Sequence, residues 1–122
     1  MARKNALRDR LVKVLTSAAL GVVEADPVEL DKIYCYQRVT WEIDKRPKNG
    51  NARVRMYIAG HGYNHDLREW APVVANRLYG YPWPVWLIPG ERLALEVDQA
   101  QATTTVRVYI TGYWTDQAEG MA

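Results

Sequence analysis

The chain has 122 residues, 48% hydrophobic and 25% charged, with a net charge of +2. That suffices for one domain with a buried core, and it excludes wholesale disorder and a strongly basic nucleic-acid binder. Cys35 is the only cysteine, which excludes an intrachain disulfide and the small disulfide-stapled scaffolds.

There is no Phe, while Trp (5) and Tyr (8) are abundant. Rings with a polar handle suit half-exposed surfaces and interfaces. No apolar run approaches the ~20 residues that a membrane-spanning helix needs. The basic beginning, Met1-Ala-Arg-Lys-Asn-Ala-Leu-Arg-Asp-Arg, resembles the start of a signal peptide. The apolar stretch after it is interrupted by Lys13 and Thr16, so the expectation is a product made in the cytoplasm.

Residues 4–16 predict a short amphipathic helix. Leu7, Leu11 and Leu15 recur at i+4, Val14 and Ala18 lie beside them, and Arg8, Arg10 and Lys13 take other faces. Such a basic helix is either a solvated face or an arm that docks on an acidic partner; it is too weakly charged to hold nucleic acid or membrane alone. The division expected is a helix or arm over 1–17, a β-sandwich over 18–116 and a flexible tail over 117–122.

Beyond the helix the period becomes two. Gly21–Ala25 reads as a strand stopped by Asp26-Pro27. In 32–43, Ile33, Cys35, Val39, Trp41 and Ile43 fall on one face and Tyr34, Tyr36, Arg38, Thr40 and Glu42 on the other, with Gln37 breaking the inner row. Cys35 is therefore expected to be a small buried residue and not a nucleophile. The polar run 44–51, tightest at Asn49-Gly50, predicts a hairpin joining this strand to the alternating row Ala52, Val54, Met56 and Ile58.

From Gly60 to Gly80 the pattern weakens, and a short strand near Leu67–Trp70 is preferred to a helix. Val85–Ile88, Leu93–Val97 and Val106–Ile110 are further strands, with turns at Pro89-Gly90 and 99–103. Short strands separated by turns predict an all-β class, a sandwich or barrel.

His61 and His65 lie four apart beside Asp66, but Gly60, Gly62 and Asn64 argue against the helix that would bring both rings onto a metal, and no third His exists. Ser17 is the only serine, no glycine-rich phosphate cradle is present, and Glu42, Asp44, Glu91, Glu96 and Asp98 alternate with apolar rows as solvated charges do. No catalytic residue, metal site or cofactor is expected.

The stretch Tyr79-Gly-Tyr-Pro-Trp-Pro-Val-Trp86 is the most informative, because Pro82 and Pro84 stiffen a loop rich in the side chains that dominate interface hot spots. Trp86 is expected to plug the end of the sandwich. For Tyr79, Tyr81 and Trp83, contacts within the protomer and contacts with a partner, or stacking on a sugar ring, stay open.

The order Ala18-Ala-Leu-Gly-Val-Val, Lys32-Ile-Tyr-Cys-Tyr-Gln-Arg-Val-Thr-Trp, Trp86-Leu-Ile-Pro-Gly-Glu-Arg-Leu-Ala-Leu-Glu-Val and Thr105-Val-Arg-Val-Tyr-Ile-Thr-Gly-Tyr resembles the small jelly-roll virion proteins of tailed bacteriophages. These are capsid decoration (cement) proteins or accessory head and tail proteins. The resemblance covers roughly residues 18–114. The aromatic stretch 61–84 and the glycine-free turn 99–103 depart from it.

It implies a jelly-roll-like antiparallel β-sandwich and a homo-oligomer, a trimer favoured, that docks on the major capsid protein or other virion proteins. Leu7, Leu11 and Leu15 would pack the arm, Arg8 and Arg10 would steer it, and Tyr79, Tyr81 and Trp83 would anchor it. Neither specific nucleic acid nor membrane is implied as a partner. The alternatives are a carbohydrate- or receptor-binding module and a head–tail connector or tail component.

Overall fold

The computed structural model describes residues 4–15, 20–48 and 53–116. Among them the chain runs β1 (Asn5–Leu15), β2 (Leu20–Glu24), β3 (Lys32–Ile43), β4 (Val54–Gly60), β5 (Tyr63–Trp70), β6 (Tyr79–Tyr81), β7 (Val85–Leu87), β8 (Arg92–Asp98) and β9 (Thr104–Asp116). A 5-stranded sheet has the order β1-β9-β3-β6 with β7 also on β3, and a 4-stranded sheet has the order β2-β8-β4-β5. Every pairing is antiparallel. Successive strands change sheets except at β4–β5 and β6–β7, which is the double Greek key of a jelly roll. The fold is an all-β, jelly-roll-like sandwich.

The expected N-terminal helix is not formed. Residues 5–15 are β1, in unbroken register with β9 from Asn5↔Trp114 to Leu15↔Thr104. The i+4 spacing of Leu7, Leu11 and Leu15 fits a period of two as well as a helix. As a strand, the segment lays all three leucines against the core, with Leu15 at 3% exposure.

The expected hairpin between 32–43 and 52–58 is also absent, because β3 and β4 lie in opposite sheets. The residues 49–52, the link 16–19 and the tail 117–122 lie outside the described residues. The hairpin that does form is β4–β5. Gly60 pairs with Tyr63, and His61 and Gly62 turn the chain at φ 54° and 85°. Two successive positive φ values are what a type I′ turn requires, and Gly62 adopts its share without strain. The weakly patterned stretch thus contains an eight-residue strand rather than the short one expected.

The two sheets meet over Val39, Trp41, Ile43, Val54, Met56, Leu95, Val97, Val106, Val108 and Ile110, each no more than 2% exposed. Trp41 is the largest of them. It stacks on Tyr79 at 4.7 Å and meets Trp70 edge-on at 5.2 Å. Aromatic pairs of this kind contribute about 0.5–1.5 kcal/mol beyond the area that they bury.

The two faces of β3 are not divided as a strict alternation predicts. A register shift against β9 between Tyr36 and Arg38 leaves Gln37 as an extra residue. A bulge reverses the phase of everything before it. Tyr34 and Tyr36 therefore turn inward, while Ile33 and Cys35 turn outward. Cys35 is buried, at 2% exposure, but on the outer side of its sheet.

Candidate protein-docking face

Register places side chains in rows across the outer face of the larger sheet, since directly paired residues share a side. One row runs Trp86, Cys35, Tyr113, Ala6 over β7, β3, β9 and β1. The next is Arg38, Thr111, Arg8, and beyond it lie Gly80, Thr40, Tyr109, Arg10 and then Glu42, Arg107, Val12.

Trp86 is 57% exposed and meets Tyr113 edge-on, ring centroids 5.9 Å apart and planes at 84°. In this row Cys35 lies between the two, and burial pushes its thiol up from its ordinary value, which favours the protonated form. Lys4 Nζ stands 4.7 Å from the Tyr113 ring centre, and the Arg10 guanidinium 5.7 Å from that of Tyr109. Tyr109 donates its hydroxyl to Glu42 Oε1 at 2.9 Å, a bond that holds the phenol protonated to higher pH than usual. Val12 and Val14 add exposed apolar surface on the outer row of β1; Trp83, in the link between β6 and β7, and Ile88, just past β7, are exposed as well, Trp83 at 67%.

The outer face of the smaller sheet is different in kind. Glu24 pairs with Arg92 at 2.8 Å, Arg55 reaches both Glu96 and Asp66 at 3.3 Å, and Arg53 reaches Glu69 at 3.4 Å. Beneath these pairs lie Tyr57, Ala59 and Ala94. Such interlaced exposed charges add little stability each, about 0–1 kcal/mol, but they make a self-satisfied water-facing surface. On the larger sheet, Arg8, Arg10, Arg38 and Arg107 have no carboxylate within ion-pair distance among the described residues.

The expected site residues divide accordingly. Arg8 and Arg10 lie on this outer face, whereas Leu7, Leu11 and Leu15 are on the inner row of β1, committed to the sandwich. Tyr79 stacks on Trp41 and accepts the Val74 N–H at 2.8 Å, and Tyr81 packs against the core. Of the loop aromatics named as anchors, Trp83 is the one largely open to solvent.

Trp86, expected to fill the sandwich, faces outward instead, because in Val85-Trp86-Leu87 the flanking residues take the inner positions. Tyr109, Tyr113, Arg38 and Arg107 carry no site expectation from the sequence, and Trp86 carries only that of a core plug. The signal for Trp86 was its alternation with Val85 and Leu87, masked because all three are apolar.

His61 Nε2 lies 3.0 Å from the Pro89 carbonyl, in the β4–β5 turn, and His65 stands exposed on β5. Among the described residues, no group of three or more His, Cys, Asp or Glu is placed to hold a metal ion.

No family model matches the chain, and no curated protein does. Among solved structures, a mutant of CBM29-2, a family 29 carbohydrate-binding module, is similar at 10% identity and a TM-score of 0.46, over 95% of this chain and 76% of that one. VP17, a capsid protein of bacteriophage P23-77, is similar at 12% identity and a TM-score of 0.37, over 94% of this chain and 77% of that one. Neither likeness bears on what this chain binds.

Proposed function

We propose that the chain is a structural virion protein, made in the host cytoplasm, that decorates a capsid shell and stabilises it by docking rather than by catalysis. The docking surface is the outer face of the β1-β9-β3-β6/β7 sheet, and the partner is the major capsid protein or another virion protein. The observation that carries this reading is the contrast between the two outer faces. One is closed by its own ion pairs. The other carries Trp86 and Tyr113, with the exposed Trp83 in the adjoining β6–β7 link, beside arginines that have no carboxylate partner among the described residues. Aromatic and Arg side chains are the residue types that carry interface energy, and an acidic shell surface would complement them. Many copies, each adding modest area, stabilise an assembled shell by mass action.

Jelly rolls serve viral capsids and lectins alike, so fold does not choose between docking on protein and binding sugar. Ring geometry favours protein. A flat sugar platform needs rings lying in one plane, whereas Trp86 and Tyr113 stand at 84°.

The test is cosedimentation with purified capsid shells of the source virus, beside a glycan titration followed by tryptophan fluorescence. Pelleting with shells and a silent titration support docking. A saturable glycan-induced shift without pelleting replaces it with the carbohydrate-binding alternative.

A further inference from the structure

Sheet edges expose unpaired backbone groups, and natural edges are blunted by shortness, bulges, proline or inward charge. β2 is short, at 5 residues. β5 is broken by a register shift opposite Met56 and Tyr57. β6 and β7 have 3 residues each and are separated by a link containing Pro82 and Pro84. β1 is unlike them: 11 residues, free of proline and in unbroken register with β9. It is the outermost strand of its sheet, with Val12 53% and Val14 51% exposed on its outer row.

Its one blunting device is a pair of charges on the inner row, which reads Asn5, Leu7, Asp9, Leu11, Lys13, Leu15. Both charges serve the chain's own edges. Asp9 Oδ1 accepts the Arg10 N–H at 2.8 Å, and Lys13 Nζ donates to the Val22 carbonyl at 2.7 Å across the gap to β2.

We propose that β1 pairs antiparallel with β1 of a second copy, in the register that sets Asp9 opposite Lys13 and Leu11 opposite itself across a two-fold axis. In that register Leu7 faces Leu15, Arg8 faces Val14 and Arg10 faces Val12. Each Asp9 meets a Lys13 on either side of the axis. Other registers that keep both inner rows on one side are penalised. A shift of two residues in one direction sets Arg10 against Arg10 and Asp9 against Leu11. The same shift in the other sets Asp9 against Leu15 and Lys13 against Leu11. A shift of four opposes Asp9 to Asp9 in one direction and Lys13 to Lys13 in the other, and a shift of six sets these charges against leucines. Odd shifts turn the partner's apolar row to solvent. The inward charges therefore deter promiscuous edge pairing and admit one self-complementary arrangement, as an isologous interface requires. The pairing puts a two-fold dimer in place of the trimer that the resemblance favours, and it uses the edge of the sheet and not the face proposed for docking, so the two are tested separately.

The test is solution mass by light scattering on a size-exclusion column. The expected value is twice the 14.0 kDa chain mass. Asp9→Lys, which sets Lys against Lys13, is expected to run at the single-chain mass, and Asp9→Lys with Lys13→Asp to regain the dimer. Because an inner-row charge change can itself disturb folding, cysteine cross-linking supplies a second readout. Residues directly opposite in an antiparallel pair lie about 4.5–5.5 Å apart, within disulfide reach. Leu11→Cys is expected to form a cross-linked dimer on mild oxidation, and Arg10→Cys to resist it. A wild-type monomer or trimer, a double swap that leaves the mass unchanged from the single variant, or Arg10→Cys cross-linking as readily as Leu11→Cys would overturn the pairing.

Discussion

A Cβ placed on Gly112 would collide with the carbonyl oxygen of Cys35. β9 passes this close to β3 where Gln37 adds its extra residue, so the bulge and the glycine are one feature. Gly112→Ala must push backbone against backbone and is expected to lower stability by about 2–3 kcal/mol. Gly80→Ala is the control. Its Cβ would meet Thr40 Cγ2 at 3.4 Å, an ordinary contact, and its effect is expected to stay within about 0.5 kcal/mol. Urea midpoints of the two variants check the contrast; equal losses would refute it.

Cys35 is expected to resist thiol reagents in the native protein, since its thiol is buried and protonated. Trp86 and Tyr113 flank Cys35 on either side in the paired row and meet edge-on. An edge-on aromatic pair contributes about 0.5–1.5 kcal/mol, so Trp86→Ala is expected to raise the alkylation rate about tenfold at a cost of about 1 kcal/mol in stability. An unchanged rate would mean that the rings do not guard the thiol.

Tyr79 is expected to act through structure. Tyr79→Phe keeps the stack on Trp41 but leaves the Val74 N–H without its acceptor, a loss of about 1 kcal/mol. Tyr79→Ala also removes the ring and is expected to cost about 3 kcal/mol. Thermal denaturation ranks the variants, and a ranking with Phe as costly as Ala would contradict the stacking.

Alkaline pH is expected to weaken the fold. Burial pushes the Tyr36 phenol above the ordinary tyrosine range, and the hydrogen bond to Glu42 does the same for Tyr109. A folded-state value above the unfolded one means stability is present in full below the ordinary tyrosine range, about pH 10, and is lost as pH climbs through the raised values. Glu42→Gln is expected to move one phenol, Tyr109, back towards that range in an ultraviolet titration. No movement would assign the shift elsewhere.

The sequence carried the class and most strands, because alternation survives wherever one face is buried. It failed where two periods coincide. Leu7, Leu11 and Leu15 satisfy helix and strand alike, and the inward Asp9 and Lys13 hid the alternation between them. It failed at Gln37, where one added residue exchanged the faces of Cys35 and Tyr36. It failed also at the link from β3 to β4, since a turn-forming run records that the chain turns and not which sheet it enters. Of the proposed docking surface, Arg8, Arg10 and the neighbouring loop residue Trp83 were legible. Trp86, Tyr109, Tyr113, Arg38 and Arg107 come beside them only through pairing between strands distant in sequence, which local pattern does not encode.

The most direct measurement is cosedimentation with capsid shells of Trp83→Ala/Trp86→Ala, set beside Arg55→Ala/Glu96→Ala on the opposite face. Docking through the larger sheet predicts that the tryptophan pair loses shell binding by about tenfold or more while remaining folded, and that the charge pair binds as the wild type does. Undiminished binding by the tryptophan variant, or loss confined to the charge variant, would contradict it.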